Sequence, residues 1–296
     1  MKKLQSTSDL EKLRKELLQK RDSSKSCISI CSGTGCLAYG SEKVVIAFEN
    51  ELKKQKLDDK VEIKRTGCHG FCEKGPVVVI YPEEICYLQV KIEDVNDIVS
   101  QTIKAGKVID RLLYTDLKTG KKVVHESEIP FYKNQTRLIF GNNRKIESKN
   151  IDDYIALGGY NALGKALFEM NPEKVLDEVK KANLRGRGGG GFPAGRKWES
   201  VRNATGEPKY VIVNCDEGDP GAYMDRSLME GNPHSVVEGL IIGAYAIGSH
   251  EGYVYVRQEY PLAVENTEIA IHQAEECGLL GEDILGSGFG FNVKIH

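Results

Sequence analysis

Hydrophobic positions along this chain follow two periods, and the switches between them mark its elements. Residues 8–21 set Leu10, Leu13, Leu17 and Leu18 on one face among Glu, Lys and Arg. That is the spacing of an amphipathic helix, expected to pack on a first domain. Cys27 to Cys31 reads as a short strand running into the loop Ser32-Gly33-Thr34-Gly35-Cys36. Helical spacing returns over 41–56 through Val44, Val45, Phe48 and Leu52, and Val61 to Arg65 alternates like a strand. Pro76 to Tyr81 is a compact apolar strand, Ile85 to Val90 resembles its hairpin partner, and the helix-like run Val95 to Ala105 closes a mixed α/β domain.

From Arg111 to Lys149 the pattern is irregular and charged, with a strand-like piece from Thr136 to Phe140. Recurring aromatic and aliphatic residues mark it as a linker that packs. Helical spacing resumes from Tyr154 to Phe168 and from Pro172 to Ala182, which leads into a glycine run; Trp198 follows in a further helix. Tyr210 to Asn214 then reads as a buried strand, Val236 to Ile247 as an apolar helix, and Tyr253 to Val256 as a strand. Pro261 to Glu276 reads as a helix with proline in its first turn, and Phe291 to Ile295 as a third strand. That order predicts a parallel sheet with right-handed crossovers. The expected fold class is α/β, in a domain over 1–110, a packed linker over 111–150 and a second domain over 151–296. Because the pattern stops at His296 in its last strand, the chain is expected to be shorter than the functional unit.

Composition narrows the function classes. The 296 residues are 40% hydrophobic and 28% charged, which predicts a packed globular protein. A net charge of -2 offers no reason to expect a nucleic-acid partner. The charged N-terminus has no apolar signal core, and no run approaches the ~20 apolar residues that span a bilayer. A soluble, cytoplasmic protein is expected. Eight cysteines in such a chain point to metal or redox chemistry before structural disulfides.

Cys31 and Cys36 are separated by four residues and Cys68 and Cys72 by three, each pair in a glycine-containing loop. Four soft thiolates converging from two loops suit an iron–sulfur cluster. Structural zinc also takes four thiolates, and disulfides or unligated thiols remain alternatives. Cys27 has ligand spacing to Cys31 but sits within the strand, where packing is expected. Cys86, Cys215 and Cys277 lack partners at ligand spacing and are expected to be buried thiols. His69, a lone loop histidine, is expected at the surface.

The glycine run is Asn183-Leu184-Arg185-Gly186-Arg187-Gly188-Gly189-Gly190-Gly191-Phe192-Pro193-Ala194-Gly195. Glycines admit close backbone approach to a planar or phosphorylated ligand, arginines add charge, and phenylalanine adds a stacking face. The spacing of Gly186, Gly188 and Gly191 satisfies G-x-G-x-x-G, yet helix precedes it where a dinucleotide fingerprint needs a strand. A mobile hinge is the alternative. A second segment, Asn214-Cys215-Asp216-Glu217-Gly218-Asp219-Pro220-Gly221-Ala222-Tyr223-Met224-Asp225-Arg226, begins at the carboxyl end of a strand, where α/β sheets bind ligands. Its carboxylates and amide suit ribityl or ribose hydroxyls; a solvated acidic loop is the alternative.

The cysteine pattern, with G-C-H-G-F-C at 67–72, resembles the thioredoxin-like [2Fe–2S] ferredoxin domain of the 24-kDa family of respiratory NADH dehydrogenase components, over about Ser24 to Ala105. The resemblance implies Cys31, Cys36, Cys68 and Cys72 as cluster ligands. From about Arg111 to His296 the chain resembles the 51-kDa flavin- and NADH-binding family, in its R-G-R-G-G-x-G-F-P and N-x-D-E-G-x-P-G motifs. This implies Gly186, Arg187, Gly188, Gly189, Lys197, Asn214 and Asp216 at FMN, Phe192 stacked on the nicotinamide nucleotide, and Glu217 and Asp219 near it. Glu217 is a positioning candidate, and no side chain need act as acid or base. Asp219 stands where many respiratory relatives carry Glu, a change expected of hydrogenase-type members. The family continues into elements absent here.

The expectation is thus an NADH:acceptor oxidoreductase subunit with FMN, NAD(H) and a [2Fe–2S] cluster. It would work beside other iron–sulfur subunits of a dehydrogenase or hydrogenase. The alternative is a non-enzymatic [2Fe–2S] electron carrier with an inactive flavin domain.

Overall fold

The computed structural model describes residues 3–21 and 25–296; Ser24, where the ferredoxin resemblance begins, lies outside them. The chain forms two compact units. One comprises Lys20–Ser148 with Glu230–Asn232, and the other the residues up to Gln19 with Lys149–Met229 and Pro233–His296. Helix α1 (Thr7–Lys20) therefore groups with the second unit, not with the first domain as its place in the chain suggested. Backbone contact explains this. The Leu4 N–H donates to the Cys277 carbonyl at 2.8 Å, and Gly164 is small enough for the Thr7 methyl group to lie against it.

In the first unit, β1 (Ser26–Cys31) is followed by α2 (Thr34–Ala38), α3 (Ser41–Lys54) and β2 (Val61–Thr66). Strands β3 (Val78–Tyr81) and β4 (Ile85–Tyr87) complete a sheet of order β2-β1-β3-β4. β1 and β2 run parallel, with Ser26 opposite Val61 and Cys31 opposite Thr66, while β3 and β4 are antiparallel to their neighbours. Val44, Val45, Phe48 and Leu52 form the buried face of α3 against Ile28 and Ile30, as helical spacing requires. The expected helix after Ile92 is α4 (Val95–Asp97) continued in π-helical turns over Ile98–Ile103.

The second face of this sheet is covered by the stretch read as a linker. Its hairpin of β5 (Tyr114–Thr115) and β6 (Lys122–Val123), with α5 (Pro130–Lys133), sets Ile129 and Tyr132 against Val77, Val79 and Cys86. Residues 111–148 are thus part of the ferredoxin-like unit. The piece from Thr136 to Phe140 is not a strand. Its Leu138 is exposed, and it has no ladder partner among the described residues.

In the second unit the helix expected from Tyr154 to Phe168 is two, α6 (Ile151–Ala156) and α7 (Asn161–Glu169). Gly158 at φ +95° and Tyr160 at φ +62° turn the chain between them. The buried Glu238 carboxylate accepts from the N–H groups of Tyr160 (2.8 Å) and Leu163 (3.1 Å), so the restart of helix has a fixed acceptor. Then come α8 (Pro172–Lys181), α9 (Ala194–Asn203), β7 (Tyr210–Cys215), α10 (Met224–Gly231) and α11 (Pro233–Ile247). Strand β8 (Glu251–Val256), α12 (Pro261–Glu276) and β9 (Asn292–Ile295) end the unit. The three strands are parallel in the order β7-β8-β9, as the alternation predicts. β7, however, is not a buried strand. Tyr210 and Ile212 are exposed, because the helices cover only one face of this sheet among the described residues. Tyr255 on β8 lies on the same open face.

Two outcomes follow for stability. Phe48→Ala removes a fully buried ring from the first unit, and urea unfolding is expected to show a loss of about 3–5 kcal/mol. In the second unit burial pushes His234 down to about 4 from its usual 6.5, between the Tyr160 hydroxyl and Gln273. The unfolded chain therefore takes up this proton first as pH falls. Its contribution is complete above about 6.5 and lost towards 4, at up to about 1.4 kcal/mol per pH unit. Calorimetry at pH 7 and pH 5 is expected to show a steeper loss for the wild type than for His234→Gln.

Candidate functional site

Parallel pairing of β1 with β2 brings the loops after both strands to one end of the sheet. The four thiols expected as ligands meet there. All four are free thiols; the Cys68 and Cys72 sulfurs are 3.6 Å apart, and Cys31 lies close enough to Cys36 and Cys68 for each to move its proton affinity. Close approach depends on small residues: a Cβ on Gly75 would lie 2.7 Å from the Cys36 sulfur, and one on Gly35 3.2 Å from that of Cys72. The Gly70 N–H donates to the Cys68 sulfur at 3.2 Å, and the backbone at His69 and Val77 lowers the proton affinity of Cys31 and Cys36.

The hydrogen bond to Cys36 is the main cause that pushes the Cys31 thiol up, and the same bond holds Cys36 low. Cys68 is pushed up to about 11, first by its bond to Cys31 and then by burial. Among the described residues no group of three or more His, Cys, Asp or Glu side chains surrounds a single metal ion. The four thiols gather at one end of the sheet, with the Gly70 amide facing Cys68. Four thiolates from two loops are the donor set that a two-iron group shares between its irons. Cys27 is half-buried within β1, and Cys86, Cys215 and Cys277 are buried, as expected.

His69 is the correction here. It is 1% exposed, with Nε2 2.9 Å from the Thr66 hydroxyl and Nδ1 3.3 Å from the Glu126 carboxylate. A histidine between two loop cysteines is buried because the linker stretch folds over it, which local polarity does not reveal.

In the second unit the glycine run forms a loop closed at its base. The Gly186 N–H donates to the Phe192 carbonyl at 2.9 Å, the Ala194 N–H to that of Leu184 at 2.8 Å, and Arg185 to that of Gly191 at 3.0 Å. Gly189 (φ +90°) and Gly191 (φ +57°) bend its tip. Among the described residues the N–H groups of Gly188, Gly189 and Gly190 make no hydrogen bond, and a Cβ on any of the three would meet no atom within 4 Å. Unpaired, outward-facing amides fit the phosphate of a nucleotide. Arg187, Phe192 and Lys197 are exposed beside them, Lys197 in the first turn of α9.

At the carboxyl end of β7, the Asp216 N–H donates to the Asn214 side chain at 2.9 Å. Both Glu217 oxygens accept from the start of α10, from Asp225 N–H at 3.0 Å and Arg226 N–H at 3.2 Å. Glu217 thus holds a helix N-terminus, where its negative charge is favoured. Burial, then the charge of Glu217, pushes the Asp225 carboxyl up, and burial pushes the Cys215 thiol to about 12. Asp219 is exposed in a turn closed by the Ala222 N–H.

Arg257 is a site residue that local sequence pattern did not single out. It directly follows β8, and parallel pairing carries it to the end of β7, where it donates to the Glu217 carbonyl and lies 3.6 Å from Asp216. Its one sequence signal is its place at the carboxyl end of a strand. A cleft of about 320 Å³ opens between α9, β7 and α11, lined by Trp198, Asn214, Cys215 and Asp225. Of the residues expected at flavin, only Asn214 lines it.

Fold and sites together give two α/β units, one with four gathered thiols and one with a glycine loop and acidic residues at the carboxyl end of a parallel strand. Residues 16–103 match the model of the thioredoxin-like [2Fe-2S] ferredoxin family and residues 179–296 that of the Nuo51 FMN-binding domain. The chain is 52% identical over 163 residues to the HndC component of the NADP-reducing hydrogenase of Solidesulfovibrio fructosivorans, covering 55% of this chain and 33% of the relative. It is 53% identical over 146 residues to a component of the NADH-quinone oxidoreductase of Rhizobium meliloti, covering 49% and 35%. The solved thioredoxin-like [2Fe-2S] ferredoxin of Aquifex aeolicus aligns at 33% identity and a TM-score of 0.29, over 31% of this chain and 98% of its own. The chain spans about a third of the length of the curated relatives it matches. No helix among the described residues is long and apolar enough to cross a membrane.

Substitution tells the four gathered thiols from Cys27. After anaerobic iron–sulfur reconstitution, Cys31→Ser and Cys68→Ser are expected to lose the visible absorption band and bound iron, while Cys27→Ser keeps both. Iron retained by Cys31→Ser and lost by Cys27→Ser would assign the ligand set differently.

Proposed function

We propose that this chain is the NADH-oxidising part of an electron-transferring flavoprotein, with Cys31, Cys36, Cys68 and Cys72 holding its [2Fe–2S] group. Bound FMN would supply the step from hydride to single electrons, and the iron–sulfur group their exit. The chain's residues bind and orient. The N–H groups of Gly188 to Gly190 and the charges of Arg187 and Lys197 take the phosphate, with Gly186 allowing close approach. Asn214 and Asp216 hold flavin hydroxyls, and Phe192 offers its exposed ring to the nicotinamide nucleotide. Glu217 and Asp219 line the approach, Glu217 through the helix start it fixes.

The observation that carries this reading is the presence in one chain of four gathered thiols and a glycine loop whose amides lack partners among the described residues. The names of the relatives, components of a hydrogenase and of an NADH-quinone oxidoreductase, support partners that are further iron–sulfur proteins of such an assembly. A cytoplasmic location, beside the NAD(H) pool, goes with it.

A second reading, a [2Fe–2S] electron carrier with an inactive flavin domain, is favoured by the cleft that gathers only Asn214 of the expected flavin contacts. Absorption spectra of the anaerobically reconstituted chain separate the two. Flavin bands that bleach on adding NADH support the enzyme, cluster bands without flavin support the carrier, and neither chromophore sinks both. Gly188→Ala meets no atom within 4 Å and needs no positive φ, so its fold is expected unchanged. The amide is retained, but the added methyl group stands in the space the phosphate would enter; holding the phosphate off by one hydrogen bond of about 1.5 kcal/mol would weaken FMN binding roughly tenfold. Flavin fluorescence titration measures it.

A further inference from the structure

The loop carrying Cys68 and Cys72 is held by residues that neither family model covers, since one model ends at residue 103 and the other begins at 179. Three contacts from the stretch between them reach it. The Gly67 N–H, one residue before Cys68, donates to the Asn143 carbonyl at 2.9 Å. Phe71 stacks on Phe131 at 4.6 Å between centroids and 6° between planes. Glu126, wholly buried, bonds the His69 ring at 3.3 Å and pairs with Arg144 through its other oxygen.

The last contact stands out energetically. A carboxylate with no exposure is costly unless each oxygen has a charged or hydrogen-bonded partner. Glu126 has both. Burial pushes its carboxyl up, but the hydrogen bond and charge of His69, with Arg144 and Arg137, bring it below the usual range, so it is anionic. His69 is in turn fixed at its other nitrogen by Thr66, whose hydroxyl also meets Ser29 on β1. This same His69 is bonded in sequence to Cys68 on one side and to Gly70 on the other, and the Gly70 N–H donates to the Cys68 sulfur at 3.2 Å. Between the buried carboxylate and a ligand sulfur there is thus one residue, clamped at both ring nitrogens.

We propose that Glu126 is a positioning residue for the iron–sulfur site: it holds His69, and through it the Gly70 amide that faces the Cys68 sulfur, and so sets the reduction potential. The potential of such groups follows amide hydrogen bonding to sulfur and the charge nearby. An anion in the wall opposes the arriving electron, so its removal raises the potential while Arg144 stays behind. This inference rests on the [2Fe–2S] reading of the four thiols.

The test is an EPR-monitored redox titration of the full chain, reconstituted anaerobically, with iron content and far-UV circular dichroism measured alongside. Glu126→Gln is expected to keep wild-type iron content and circular dichroism and to titrate at a higher midpoint potential. An unchanged or lower potential at full iron content overturns the proposal. Glu126→Asp keeps the charge but draws the carboxylate back from His69. It is also expected to shift the potential, in either direction, by releasing His69; if Glu126→Gln does not fold, an unchanged potential of Glu126→Asp at full iron content overturns the proposal. Lys118→Ala, at the exposed turn of the same segment, is the control and is expected to titrate as wild type. A wild-type chain without a [2Fe–2S] signal defeats the cofactor reading itself, and this inference with it; a normal wild-type signal with unmoved variants defeats this inference alone.

Discussion

Parallel pairing of adjacent strands is the constraint on which both sites depend. Two parallel neighbours end on the same side, so whatever follows each of them is brought together however far apart it lies in sequence. In the first unit β1 and β2 deliver the loops of Cys31 and Cys36 and of Cys68 and Cys72 to one edge. In the second, β7 and β8 deliver Asp216 and Arg257 to one edge. The chemistry of each unit is thus placed by backbone hydrogen bonds that touch none of the functional side chains.

Close approach is the second requirement, and it is met by what is missing from certain residues. The sulfurs lie side by side because Gly35 and Gly75 have no Cβ to hold the opposite loop away. The glycine loop works in the reverse sense. Its amides are left open because its tip bends outward at Gly189 and Gly191 while its base is bonded shut at Gly186 and Ala194. One arrangement brings protein to protein; the other keeps protein clear of a space that a phosphate can enter.

Much of this was legible in the sequence, and the losses have a common cause. The strand–helix alternation from Tyr210 onward predicted the parallel sheet, and helix α12 matches the expected Pro261–Glu276 at both ends. Cysteine spacing singled out the four thiols that meet. What went unread depends on contacts between distant segments. His69 is buried because Glu126 reaches it from 57 residues away, and residues 111–148 cover a sheet face that local irregularity made look like a linker. Helix α1 packs near Cys277, at the other end of the chain. β7 has an apolar composition yet an open face, since periodicity reports which side chains share a face and not whether anything covers it.

The sequence by itself determined the residue types that can ligate iron and face a nucleotide, the order of the elements, and the two family models that its segments match. These are properties of local spacing and composition, which survive in one dimension. Only the tertiary structure decided that the four thiols gather, that Glu217 holds the start of α10, that Arg257 joins Asp216, and that a buried carboxylate stands behind the loop of Cys68 and Cys72. Each of these is a distance between residues that the chain separates. Such distances exist only after burial of apolar surface has brought the elements together.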